Sequence, residues 1–212
     1  MIPTQRLDYL AESSSQTAGP YVHIGLIPQQ AGFDIFKSNF GNVMVRDGTQ
    51  GERIRIEGRV FDGSGTPVRD ALLEIWQANA AGRYNHPLDR QTEKPLDDTF
   101  RGWGRAGSDF KTGVYAFETI KPGAVVGRAG RGTMAPHVNF WIVARGINIG
   151  LNTRMYFADE AAANEKDPVL RLIELESRRG TLIAPRSTRD GKTIYTFDIH
   201  LQGDRETMFF DV

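Results

Sequence analysis

The sequence predicts an all-β protein: a β-sandwich of mostly antiparallel strands, with an extended N-terminal arm and one or two short helices. Three observations lead there. Apolar and polar residues alternate with a period of two in several short segments. Clusters of Gly, Pro, Asn and Asp that favour turns separate those segments. Only one stretch, Asp167 to Gly180, carries both a helix start and a helix stop. The 212 residues are enough for one large core, and an all-β chain of this size commonly stays a single domain.

Taken in order, residues 1–50 show no sustained period. They nevertheless hold Tyr9, Tyr21, Ile24, Leu26, Ile27, Phe33, Ile35, Phe36 and Phe40, too many apolar groups for a solvated tail. This arm must be buried somewhere. Its centre, Gln16-Thr17-Ala18-Gly19-Pro20-Tyr21, is a turn that either packs on its own domain or reaches a partner chain. Residues 51–212 form the sandwich domain. Ile54, Ile56 and Val60 alternate with Arg53, Arg55, Glu57 and Arg59 as a half-buried strand ended by Asp62-Gly63-Ser64-Gly65. Ala71 to Gln77 is a second strand, and the Gly65-Thr66-Pro67 turn suggests that the two are antiparallel neighbours.

Ala78 to Phe110 reads as a long polar loop, and loops of that length in a compact domain are usually functional. Val114 to Ile120 resumes the alternation, Lys121-Pro122-Gly123 turns, and Gly127 to Gly132 is expected as a mobile loop bearing Arg128 and Arg131. Next comes the apolar run Met134 to Gly146. On a strand, His137, Asn139, Trp141 and Val143 share one face while Val138, Phe140, Ile142 and Ala144 share the other. Asn152 to Phe157 follows as a strand. Asp167-Pro168 then starts a helix, with Leu170, Ile173 and Ser177 expected inward, ending at Gly180 after Arg178 and Arg179. Thr193 to Leu201 and Glu206 to Phe210 close the chain as strands about the Gln202-Gly203-Asp204 turn.

Composition narrows the function. Hydrophobic residues are 40% and charged residues 25% of the chain, ordinary globular values. No apolar run approaches the roughly 20 residues that span a bilayer, and no secretory signal is visible after Met1, so a soluble, cytoplasmic protein is expected. Lys and Arg number 26 against 26 Asp and Glu, which gives no pull toward nucleic acid or anionic membrane. With no cysteine, disulfides, thiolate metal sites and a cysteine nucleophile are excluded. Ser13-Ser14-Ser15 lacks a nucleophile elbow. Gly102-x-Gly104 and the glycines from Gly127 to Gly132 lack the strand-then-helix context of phosphate loops.

The histidines His23, His86, His137 and His200 are scattered. His23 and His86 fall in non-strand segments where surface histidines are common, and His200 is expected to face solvent. His137-Val138-Asn139 would be a metal pair if Asn139 were histidine, but an amide oxygen is a poor substitute for imidazole on a transition metal. Tyr84, at the head of the long loop, can ligate ferric iron as a hard phenolate, although such a tyrosine more often plugs a core edge. Arg145, ending an apolar strand, either snorkels to solvent or forks onto a carboxylate. From the residues alone, snorkelling is favoured.

Several segments together resemble the intradiol ring-cleaving dioxygenases, over nearly the whole chain. They are Gln16 to Gly25, Trp76-Gln77-Ala78-Asn79 with Gly82-Arg83-Tyr84, Thr119 to Gly123, Ala135-Pro136-His137, Ala144 to Asn148, and Phe209-Phe210-Asp211. The resemblance implies a ferric site of two tyrosines and two histidines, and Tyr84 and His137 stand at the first of each. Ala124 and Val125 follow the Pro122-Gly123 turn where the second tyrosine would be, and Asn139 replaces the second histidine. Two of four ligands are gone, leaving too few to retain ferric iron.

The implied protein is therefore an alpha-type subunit that binds no metal, with Tyr84, His137 and Asn139 as vestigial positions. Its beta-chain partner would hold Fe(3+), and the two would pair in a higher alpha-beta oligomer. Thr17, Gly19, Pro20, Tyr21 and Arg145 match substrate-pocket residues, which for Arg145 reverses the reading from residues alone. The implied reaction is O2-dependent cleavage of 3,4-dihydroxybenzoate to 3-carboxy-cis,cis-muconate in aromatic catabolism. The alternatives are a stand-alone metal-dependent intradiol dioxygenase using Tyr84 and His137, and a non-catalytic β-sandwich binding module.

Overall fold

The computed structural model describes residues 16–36, 41–127 and 132–211. Tyr9, Phe40, Ser13-Ser14-Ser15, Arg128 and Arg131 lie outside the described residues. So does the side chain of His23. In chain order the elements are α1 (Val22–Leu26), β1 (Arg53–Phe61), β2 (Leu72–Trp76), β3 (Trp103–Gly107), β4 (Val114–Ile120), β5 (Val125–Val126), β6 (Thr133–Met134), β7 (His137–Val143) and β8 (Leu151–Phe157). After these come α2 (Ala161–Asn164), α3 (Glu176–Gly180), β9 (Ile183–Ala184), β10 (Arg186–Arg189), β11 (Lys192–Thr196) and β12 (Ile199–His200).

Two sheets face each other. In the first, β1 is central: β4 runs antiparallel along one edge, while β11 and then β12 run parallel along the other, with β10 paired to β11. The second has the order β3-β2-β7-β8-β9, and β5 and β6 form a separate short ribbon. Ile54, Ile56 and Val60 of β1 and Phe117 of β4 meet Ile75 of β2 and Val138, Phe140 and Ile142 of β7 in one buried cluster. This is the β-sandwich the alternation predicts. Its sheets are mixed, because β1 and β8 each take parallel neighbours.

With Val138, Phe140 and Ile142 turned into the core, β7 must present His137, Asn139 and Trp141 on the outer face of the second sheet. A smaller cluster of Ala135, Tyr156, Leu170, Ile173 and Leu182 roofs the His137 end of that face. No helix among the described residues is long and apolar enough to cross a membrane.

Five expectations are corrected. β1 and β2 are not a hairpin: after a single antiparallel bridge, Phe61 to Pro67, the chain passes to the other sheet. The long segment 78–110 is not all loop, since β3 pairs with β2. Its glycines hide the strand and also explain it. A Cβ on Gly104 would come within 2.8 Å of Met44, and one on Gly107 would collide with Ile27, so glycine lets the arm cross the sheet edge.

Third, Asp167 does start a helical turn, accepting from the N–H groups of Val169 and Leu170 (both 2.8 Å), but the helix does not continue to Gly180. Ile173 turns extended, and its carbonyl accepts from Arg179 Nε at 2.5 Å. Leu170 and Ile173 are buried as expected, whereas Ser177 is exposed. Fourth, Glu206 to Phe210 contributes only the bridge of Phe210 to Asn152, and the turn Asp190-Gly191 joins a β10–β11 hairpin that the alternation did not signal. His200 does not face solvent freely: it stacks on Phe61 at 4.9 Å, and burial lowers its pKa.

Part of the arm packs on its own domain. Ile27 and Met44 are buried, and Gln30 exchanges hydrogen bonds with the backbones of Ser108 and Gly107. Other arm side chains stay open: Tyr21 is 74% exposed and Ile35 68%, with Phe33 and Phe36 also exposed.

Candidate functional site

The predicted residues gather at the two ends of β7. At its start, Tyr84 and His137 are brought together, with the phenol oxygen 3.4 Å from Nε2. His137 Nδ1 is 2.7 Å from the Ala135 carbonyl, an acceptor, so Nδ1 carries the proton and Nε2 accepts from Tyr84. The Tyr84 ring stacks on Trp76 at 5.6 Å, and His137 leans on Tyr156. Tyr156 donates to Asp167 Oδ1 at 3.2 Å, and the Ala135 N–H donates to Asp167 Oδ2 at 2.8 Å. Asn139 donates its amide to the Trp76 carbonyl at 3.2 Å. Each group is bound within the chain.

Arg154, opposite Asn139 in the β7–β8 register, supplies a positive charge beside the Asp167 carboxylate. Burial, reinforced by the Arg154 guanidinium, pushes His137 down to about 4, so it is neutral at ordinary pH. Burial also raises Tyr84 despite the opposing pull of Arg154 and Asn139, which keeps the phenol protonated. Tyr156 is raised by burial and by Asp167.

The ferric ion that the resemblance implies does not fit these residues. Val125, where the resemblance would put a phenolate, lies in β5 paired with Met134. The Ala124 carbonyl accepts from Lys94 Nζ at 2.8 Å, which ties it to the loop bearing Tyr84. Asn139 has no imidazole, Tyr84 is held neutral, and the neighbouring guanidinium repels a second cation. Among the described residues, no group of three or more His, Cys, Asp or Glu is placed to hold a metal.

The far end of β7 is different in kind. Ala144 to Ile147 is a tight turn closed by the Ile147 N–H on the Ala144 carbonyl (3.2 Å), with Gly146 at φ +83°, where a side chain would be strained. Arg145 projects from this turn with its side chain 62% exposed and forms an ion pair, Nε to Asp70 Oδ2, at 2.6 Å. Thr17 reaches the same turn from the arm, its hydroxyl accepting from the Gly146 N–H at 2.7 Å. Gly19 and Pro20 follow as exposed turn residues, and the Gly19 carbonyl accepts from Val22 N–H at 3.3 Å. Tyr21 points outward. Thr17 of the arm and Arg145, more than a hundred positions apart, thus meet at one exposed turn, while Tyr84, His137 and Asn139 lie at the strand's other end. His86 takes no part in either group; it lies edge-on to Trp76 at 6.4 Å.

Sequence reasoning missed Arg154 and Asp70. Arg154 looked like one more polar residue of an alternating strand, and only the β7–β8 register sets it beside Asn139. Asp70 looked like an ordinary residue at a strand entry and carried no signal.

Comparison with known proteins places this arrangement. The model of the family described as dioxygenase matches residues 36–203. The chain belongs to the intradiol ring-cleaving dioxygenase family. It is 49% identical over 205 residues to the protocatechuate 3,4-dioxygenase alpha chain of Pseudomonas putida, covering 97% of this chain and 98% of the relative. It is 42% identical over 158 residues to the protocatechuate 3,4-dioxygenase beta chain of Burkholderia cepacia, covering 72% and 66%. Catechol 1,2-dioxygenase of Acinetobacter sp. ADP1, 21% identical, shares the fold with a TM-score of 0.58 over 74% of this chain and 55% of that one.

Proposed function

We propose that this chain is the alpha-type, non-iron-binding subunit of a cytoplasmic protocatechuate 3,4-dioxygenase. The complex joins O2 to 3,4-dihydroxybenzoate between its hydroxyl-bearing carbons and yields 3-carboxy-cis,cis-muconate. The family depends on non-haem iron, which we place in the beta-chain partner. The observation that carries this reading is the state of the chain's own ligand positions: Asn139 is tied to Trp76, Tyr84 donates to His137, and Arg154 sits beside them.

In this reading residues 1–50 are an arm whose apolar side chains, Tyr21, Phe33, Ile35 and Phe36, pack on the beta chain in a higher alpha-beta oligomer. Thr17, Gly19, Pro20 and Tyr21 wall the pocket completed between the chains. Arg145 receives the ring carboxylate, since a guanidinium matches that planar anion. This chain thereby orients the ring for chemistry carried out next door.

The stand-alone enzyme is disfavoured by the donor set, and the binding module by the likeness to alpha and beta chains of one enzyme. The test is to produce the chain alone and with a beta chain, then measure bound iron and oxygen uptake with 3,4-dihydroxybenzoate. We expect iron and uptake only with the pair. Full iron occupancy and turnover by the isolated chain would sink the proposal.

A further inference from the structure

Arg145 is not left to find its own direction. Its Nε sits 2.6 Å from Asp70 Oδ2, and the two ends of the pair differ in burial: the Asp70 side chain is 13% exposed, that of Arg145 62%. Asp70 stands two residues before β2, beside Ala71, and both Ala71 and Leu72 are fully buried. The Ala71 carbonyl also accepts from the Ser108 N–H at 2.9 Å, so the carboxylate rises from fixed backbone. Arg145 leaves a turn whose shape is set by Gly146 and held by Thr17. An ion pair this open does little for stability. Its effect is geometric. A guanidinium is planar with five N–H donors, and an anion on the Nε side fixes the plane while the Nη side stays available. Among the described residues, no second carboxylate pairs with Arg145.

We propose that Asp70 is a positioning residue for the substrate carboxylate: it holds Arg145 from the Nε side so that the Nη groups are presented to the ring carboxylate. This rests on the reading that Arg145 receives that carboxylate. Asp70 opposes binding through its own negative charge and favours it by ordering, in advance, a side chain with several rotatable bonds. The proposal requires the ordering gain to be the larger effect, and the KM of Asp70→Ala reads that balance directly.

The test uses the assembled alpha-beta enzyme with Asp70→Ala, Asp70→Asn, Arg145→Ala and the double variant Asp70→Ala/Arg145→Ala. The readouts are kcat and KM for 3,4-dihydroxybenzoate and the inhibition constant of catechol, which lacks the carboxylate. Asp70→Ala should raise KM about tenfold, the scale of freeing one rotamer-rich side chain. It should leave kcat and catechol inhibition within about twofold, and it should add nothing once Arg145 is already alanine. Asp70→Asn keeps the shape and a neutral acceptor, and should fall between wild type and Asp70→Ala. It also serves if the alanine variant does not assemble.

An unchanged KM in both Asp70 variants, while Arg145→Ala raises it, overturns the role of Asp70 alone. An Asp70 effect of equal size with catechol, or undiminished in the Arg145→Ala background, also overturns it, because the residue would then be acting through the fold. If Arg145→Ala itself leaves KM unchanged, the reading of Arg145 falls and this inference falls with it.

Discussion

The two ends of β7 carry similar residue types and use them in opposite ways. At the His137 end, a phenol, an imidazole, an amide and a guanidinium lie under a roof of apolar side chains; the first three bond to one another or to nearby backbone, and the Arg154 guanidinium donates to Met134 Sδ. At the Arg145 end the charged group is exposed, and its carboxylate partner Asp70 is anchored below it. Burial makes the first cluster structural: desolvation holds Tyr84 and His137 neutral, and neutral groups with satisfied bonds have little left to offer a ligand. Exposure makes the second available. Where a site sits relative to solvent therefore decides its role more than which residues compose it.

The sharpest separation between the ends should come from acid. An unfolded histidine takes up a proton near pH 6.5, whereas folded His137 resists down to about 4. Between those values the unfolded state binds the extra proton, so this contribution to stability is intact above about pH 6.5 and is lost as pH falls toward 4. The loss should reach about 3 kcal/mol. Denaturant unfolding at stepped pH measures it, with His137→Gln, which does not titrate, as the reference. Identical acid sensitivity in the two proteins would mean that His137 is not held neutral and that the closed end is less dry than described.

The second largest effect belongs to the open end. Arg145→Ala should lower kcat/KM for 3,4-dihydroxybenzoate in the complex about 30-fold, the scale of a lost hydrogen-bonded contact to a charged group. The melting temperature should stay within about 1 °C, since an exposed ion pair contributes little stability. A large fall in melting temperature with kinetics intact would reverse the assignment of the two ends. Thr17→Val should act in the same direction and less strongly. It removes the acceptor for the Gly146 N–H and should raise KM about fivefold, roughly 1 kcal/mol, with Thr17→Ser restoring it.

The sequence showed strands where alternation met a half-buried surface. Ile54, Ile56 and Val60 in β1, and Val138, Phe140 and Ile142 in β7, face the core as their spacing required. It failed where a tertiary contact set the residue type. In β3 the glycines that suggest a loop admit Met44 and Ile27 of the arm. Asp167 started a helical turn as its position suggested, but the chain turns extended at Ile173, whose carbonyl is taken by the Arg179 side chain, before the helix could run. The turn after β1 was legible as a turn, whereas the passage to the second sheet was not, because local turn residues do not encode which partner a strand will find. The same divide holds for the sites. Tyr84, His137, Asn139, Thr17 and Arg145 could be singled out from motif segments. Arg154 and Asp70 could not, because each matters only through what the fold sets beside it.

Tyr84→Phe is the smallest of these effects and the one that tests the closed end most directly. The hydroxyl donates to His137 Nε2 across 3.4 Å, a long and therefore weak bond. Its removal leaves one buried acceptor unpaired while the Phe ring keeps the stack on Trp76. The expected cost is about 0.5–1 kcal/mol, a fall of about 2 °C in melting temperature for a chain of this size. Turnover by the alpha-beta complex should be unchanged, because no step is assigned to this end of β7. A loss of turnover without loss of stability or assembly would show that the buried phenol still serves the reaction. The division between a sealed structural end and an open substrate-facing end would then fail, however well Arg145 behaved.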